Sequence, residues 1–260
     1  MSERNPLPRR SPRFFRGFRK YANHYIRKHF HAMRIDRGGP PPAPPDRPVI
    51  VALNHASWWD PLVALSLTET FPRDRVHYAP IDALGLEQYR ILEWVGFFGV
   101  EPGTTRGSLA FLRRAGAILD RPKSVLWITA QGGFTDVRER PTRFKEGLGH
   151  LLHRAPQVAL VPLAIEYPFW NDRLPESLAR FGPPIPIDHG ATRSPNEWTR
   201  IAEEALEETQ DQLAETARAR DPAAFDAWIK GAAGVGGFYD LGRRMMARIR
   251  GETFSAEHRA

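Results

Sequence analysis

Five short apolar runs alternate with stretches of helical period, and this alternation restricts the chain more than any other feature of it. The runs are PVIVAL (48–53), RVHYAP (75–80), GFFGV (96–100), SVLWIT (124–129) and QVALVPLAIEY (157–167). Several are apolar without interruption, the pattern of strands covered on both faces. Between them, residues 58–69, 84–94, 105–120 and 144–154 repeat their apolar positions at helical spacing. Such alternation predicts an α/β fold, a layered domain with a mostly parallel central sheet flanked by helices. At 260 residues and 42% hydrophobic content the chain can fill one such domain with appendages. Residues 198–219 read as a further long, acid-rich amphipathic helix.

Charge divides the chain unevenly. Residues 1–37 hold eleven Lys/Arg against Glu3 and Asp36, whereas the remainder holds 26 bases and 28 acids. Within 13–34, apolar or aromatic residues recur at 14, 15, 18, 21, 22, 25, 26, 29, 30 and 33, so the period predicts a basic amphipathic N-terminal helix ahead of the domain. An aromatic face opposite a basic one suits a helix lying in a lipid interface. It also suits a helix packed on its own domain. Nucleic acid is a weaker partner for it, because the near-neutral charge balance of the body announces no second basic surface, and no nucleic-acid partner is expected.

Residues 38–48 are Pro-rich and favour an extended connector. The expected organisation is a basic membrane-binding arm over 1–37, a linker over 38–47, the layered domain over 48–230 and a basic amphipathic tail over 231–260. No run reaches the length of a membrane span and no signal-peptide core is present, so the expected location is the cytoplasmic face of a membrane. Cysteine is absent, which removes disulfides, thiolate metal sites and a cysteine nucleophile. His24, His29 and His31 are too dispersed for a metal site, and no metal is expected.

His55 and Asp60 lie just past the first of these strands, in VALNHASWWDPLVAL (51–65). Open α/β sheets place their sites at the carboxyl ends of strands. Ser57 and Asp60 fit a helix capping box, which would make the aspartate structural. They also fit a dyad, in which Asp60 holds one ring nitrogen of His55 and leaves the other as a base. No Gly-x-Ser-x-Gly elbow accompanies them, so such a base would act on a bound hydroxyl or amine. Trp58 and Trp59 suit an acyl groove and a core equally.

Asn54-His55-x-x-x-x-Asp60 after an apolar strand resembles the first block of the glycerolipid and lysophospholipid acyltransferases, among them the lysophosphatidic acid acyltransferases. WVGFFGVEPG (94–103), LWITAQGGFTD (126–136), RFKEGLGHLL (143–152) and VALVPLAIEY (158–167) resemble later blocks in the family's order, and FGPPIPI (181–187) its following strand. The resemblance covers about residues 45–215. It implies transfer of a fatty acyl group from acyl-CoA or acyl carrier protein to a lipid hydroxyl or amine, with His55 as general base and Asp60 orienting it. It further implies membrane lipids as partners and no cofactor beyond the thioester donor. Asn54, Arg106, Gln131, Gly132, Gly133, Phe134 and Lys145 are the substrate-binding candidates.

Two departures qualify the acceptor. The family's second block carries an arginine two residues after its valine, where this chain has Val100-Glu101-Pro102 and no arginine before Arg106. Its third block reads Pro-Glu-Gly-Thr-Arg-Ser, where this chain has Ala130-Gln131-Gly132-Gly133-Phe134-Thr135. Those arginines suit an acceptor phosphate. Their loss predicts an acceptor other than a simple glycerol phosphate. The alternatives are a clamp rebuilt from Arg106 with Arg138 or Arg143, and a non-catalytic lipid-binding relative.

Overall fold

A computed structural model describes residues 7–37 and 47–231. Among them nine strands form one sheet. They are β1 (Ala32–Asp36), β2 (Val49–Leu53), β3 (Val76–Asp82), β4 (Phe97–Val100), β5 (Ser124–Thr129), β6 (Val158–Glu166), β7 (Glu176–Phe181), β8 (Ile185–Ile187) and β9 (Phe225–Lys230). The order across the sheet is β4-β3-β5-β2-β6-β7-β1-β9, with β8 paired to β6. The β4-β3-β5-β2-β6 half is parallel, while β6 meets β7 and β8 antiparallel and β1 meets β9 antiparallel. β2 lies between β5 and β6, parallel to both, so its carboxyl end opens between two parallel neighbours near the centre of the sheet.

β2 shows why its run is apolar throughout. Val49, Val51 and Leu53 face the layer containing α1 (Pro12–His29) and α2 (Asp60–Leu67). Ile50 and Ala52 face the opposite layer, built from α4 (Thr105–Leu119), α5 (Gly147–Arg154) and α6 (Pro195–Arg218). Strand side chains alternate between faces, and with both faces covered every position must be apolar. α6 starts on a capping box between Ser194 and Glu197, with Pro195 at its first position. The 84–94 helix is in fact split, into α3 (Ala83–Gln88) and a 3-10 helix at Arg90–Val95.

The amino-terminal region departs most from the sequence reading. The helix ends at His29, not at 34, because Phe30 turns extended and Ala32–Asp36 enter the sheet between β7 and β9. Phe30 and Met33 continue the helical period by coincidence; both are fully buried, Met33 as a strand residue. Phe15, Ala22 and Ile26 are buried in the protein, while Arg13, Arg16, Lys20, Arg27 and Lys28 are exposed. The described part of the expected arm, residues 7–37, is therefore not detached, and the sheet does not begin after the Pro-rich stretch. Residues 38–46 of that stretch, and all of the 231–260 tail past Gly231, lie outside the described residues. No described helix is long and apolar enough to cross a membrane.

Candidate active site

β2 ends at Leu53 and α2 begins at Asp60, so the joint carries Asn54 and His55 at the carboxyl edge of the sheet. Asn54 is buried, and its side-chain amide donates to Ile165 O at 2.9 Å and accepts from Ile165 N at 2.8 Å. It splints β2 to β6 and does not reach the cavity, so its assignment as a substrate contact is corrected. His55 is held on both sides by the loop after β5. Its N–H donates to Gln131 Oε1 at 2.7 Å, and its carbonyl accepts from Thr135 N at 2.8 Å.

His55 Nδ1 lies 2.7 Å from Asp60 Oδ2. The same oxygen accepts from Ser57 N at 3.0 Å, and Oδ1 accepts from the Tyr167 hydroxyl at 2.7 Å. The carboxylate holds the imidazole, but the capping box read from the sequence does not form: α2 opens at Asp60 itself, Trp59 is its N-cap, and no side chain caps it, so the bond from the Ser57 N–H serves the loop before the helix. Asp60 is 0% exposed, and its three donors replace the water it has lost. With Nδ1 as donor, Nε2 of His55 has no partner among the described residues and is left as an acceptor.

Tyr167 escaped the sequence reading. Its signal was its place just past the end of β6, the strand paired to β2. Burial, followed by the Asp60 charge, raises its phenol well above the ordinary value, so the hydroxyl stays protonated and donates.

His55 and Asp60 line a cavity of about 870 Å³ that runs from the carboxyl edge of the sheet toward α1. Its walls are mainly apolar, with Leu65, Val95, Phe97, Phe111, Trp127 and Leu148 among them. Gly132, Gly133 and Lys145 also line it. Gly132 has φ +72, and a Cβ there would lie 2.9 Å from Lys145 Cγ, so the bare glycine lets the lysine stem cross it. Lys145 makes no ion pair among the described residues, and the Gly133 N–H has no acceptor there. His77 faces the same cavity. Burial first, then Arg10, Arg19 and Arg75, lowers its pKa to about 3, so it is neutral and accepts from Trp127 Nε1 at 3.1 Å.

Three further candidates stand elsewhere. Gln131 spends its carbonyl on the His55 backbone, and so supports His55 from outside the cavity lining. Phe134 also lies outside that lining; it is 65% exposed, with its ring 4.4 Å from the His55 ring. Arg106 does not line the cavity; it lines a separate groove. Arg138 is closed on Asp136 through two bonds of 2.9 and 2.7 Å, and Arg143 reaches toward Glu203 at 3.8 Å. Among the described residues, no arginine lines the cavity.

A family model described as Acyltransferase matches residues 34–166, just over half of the chain. The fold is similar to the crystal structure of the 1-acyl-sn-glycerophosphate (LPA) acyltransferase PlsC from Thermotoga maritima. That match has a TM-score of 0.51 and 17% identity, covering 78% of this chain and 79% of the other. No curated protein matches the sequence.

Proposed function

The chain belongs to the acyltransferase family, and from that premise we propose that it is a peripheral membrane enzyme moving a fatty acyl group from a thioester to a lipid hydroxyl or amine. The donor is acyl-CoA or acyl carrier protein. The observation that carries the reading is the 2.7 Å His55–Asp60 contact at an apolar cavity large enough for an acyl chain. Nε2 of His55 takes the acceptor's proton as its oxygen or nitrogen attacks the thioester carbonyl. Asp60 stabilises the imidazolium that forms. The free Gly133 N–H and the Lys145 ammonium are the groups suited to the oxyanion. Collapse of the tetrahedral intermediate expels the thiolate, which takes the proton back from Nε2. The acyl group ends as an ester or amide, and no metal or further cofactor enters the reading.

The acceptor is not a simple glycerol phosphate on this reading, because no described arginine lines the cavity. Lysophosphatidic acid is expected to be a poor substrate and a neutral hydroxylated lipid a better one in kcat/KM. Membrane contact draws support from the exposed basic face of α1 and from exposed Tyr21, Trp58, Phe134 and Phe169. Bases near an anionic surface contribute roughly 1 kcal/mol each before screening. Phe15, Ile26, Phe30 and Met33 are core and take no part.

The test is thiol release from an acyl-CoA with and without lipid acceptors. Release only with acceptor, abolished in folded His55→Ala, is the expected result. Release without acceptor identifies a hydrolase, and no release a lipid-binding protein. Full transfer by folded His55→Ala refutes the mechanism, and efficient turnover of lysophosphatidic acid refutes the acceptor.

A further inference from the structure

Arg106 sits outside the catalytic cavity, in a groove of its own. α4 supplies one wall of this groove with Arg106, Arg113 and Arg114, and no acidic residue lies anywhere in that helix. Arg90, from the same segment as Glu87 and Glu93, and Arg154, at the end of α5, also line it. Glu87 and Glu93 on the opposite wall, with Glu101, are the acids present, so five guanidinium groups face three carboxylates. The groove encloses about 1470 Å³ along β4, the outermost strand of the parallel half. Leu86, Leu109, Ala83 and Ala110 give it an apolar lining.

Three observations point to a ligand with several negative charges. First, Arg114 bonds only the Gly99 carbonyl, at 3.4 Å, and Arg90, Arg106, Arg113 and Arg154 make no hydrogen bond or ion pair among the described residues. Their donors are available, and guanidinium forks match phosphate oxygens. Second, Arg106 and Arg113 are seven residues apart on one helix, so they share a face and are spaced about 10 Å along it. That spacing suits separated phosphates better than a single anion. Third, the groove adjoins the catalytic cavity: Glu101 lines both, and neighbouring Gly107 and Ser108 line one each. A ligand anchored at the arginines can pass a flexible neutral arm over the 101–104 loop to His55.

We propose that this groove binds the phosphorylated nucleotide end of a CoA thioester, whose neutral pantetheine arm carries the acyl group into the cavity. The proposal rests on the thioester-transferase reading and commits it to CoA as donor. An acidic carrier protein is the competing occupant.

The experiment uses the full chain and Arg106→Glu/Arg113→Glu, with Arg106→Gln/Arg113→Gln as a milder pair, each checked for a wild-type thermal transition. CoA binding is measured by titration calorimetry. KM is measured for acyl-CoA, acyl carrier protein and an acyl-pantetheine bearing the same chain. The charge-reversed pair is expected to weaken CoA binding and raise KM for acyl-CoA at least tenfold. Its kcat should stay within twofold and its KM for acyl-pantetheine should be unchanged. The glutamine pair should fall between. Unchanged CoA affinity and KM in both pairs overturn the proposal, as does a loss confined to acyl carrier protein. A wild type that binds CoA through these arginines, yet releases no thiol, leaves the groove standing and overturns the transferase reading.

Discussion

Tyr167→Phe removes a single oxygen from the support of the dyad, and its consequence can be worked from the geometry. The hydroxyl donates to Asp60 Oδ1 at 2.7 Å, and Asp60 has no exposed surface through which water could replace it. A hydrogen bond to a charged group contributes about 1.5–3 kcal/mol, and a buried acceptor stripped of its donor bears that loss. The melting temperature should then fall by about 3–12 °C, at 2–4 °C per kcal/mol for a domain of this size. Catalysis should suffer by a separate route. With Oδ1 unpaired, the carboxylate is freer to rotate, which weakens its hold on Nδ1 at the moment His55 becomes positive. If the whole loss reaches the transition state, kcat falls by about one to two orders of magnitude. KM should hold, because Tyr167 does not line the cavity.

The assay is thiol release under saturating donor and acceptor, paired with thermal denaturation, in wild type, Tyr167→Phe, Asp60→Asn and the double variant. Asp60→Asn alone should cost orders of magnitude through loss of tautomer control. Since the tyrosine acts through the aspartate, its removal should cost little more in the Asp60→Asn background. A Tyr167→Phe protein with wild-type kcat and melting temperature would refute the reasoning, and so would fully additive losses in the double variant.

Gly132→Ala should lower kcat, because a Cβ at φ +72 is strained by roughly 1–2 kcal/mol and strikes the Lys145 stem 2.9 Å away; wild-type turnover would show that the stem is not needed there. His77 should make the protein acid-labile. Its folded pKa of about 3 lies below the unfolded value near 6.5, so the unfolded chain binds the extra proton, and stability present above pH 6.5 is lost as pH falls toward 3. His77→Gln, which keeps an acceptor for Trp127, should flatten that limb in denaturant melts, and an unchanged limb would clear His77. Deleting residues 1–37 should abolish cooperative unfolding, because it strips β1 from between β7 and β9 and uncovers the core under Ile26 and Phe30; a soluble product with a sharp transition would contradict this.

How far the chain could be read in advance depended on how much of each signal was local. The run 49–53 announced a two-sided strand because five consecutive apolar residues have few other uses, and the dyad followed since His55 and Asp60 hang from that strand's end. β1 was not legible, for Phe30 and Met33 satisfy the helical period and the strand equally; only pairing with Glu176–Phe181 and Phe225–Lys230, far away in sequence, decides between them. The same limit governed the site. Gln131 and Phe134 stood out as replaced residues, but a residue type does not say which way its side chain turns. Gln131 turned inward, to the His55 N–H, where a glutamine carbonyl and a glutamate carboxylate accept the same bond. The exchange of glutamate for glutamine therefore leaves the support of the base intact and removes a charge beside it. The exchange of arginine for Phe134 sets an exposed ring against His55. A phosphate entering here would meet that ring and the Lys145 ammonium without a guanidinium fork, whereas a neutral lipid hydroxyl needs only Nε2 of His55. On the proposed reading the substitutions bear on which acceptor is bound, and they leave the His55–Asp60 contact in place.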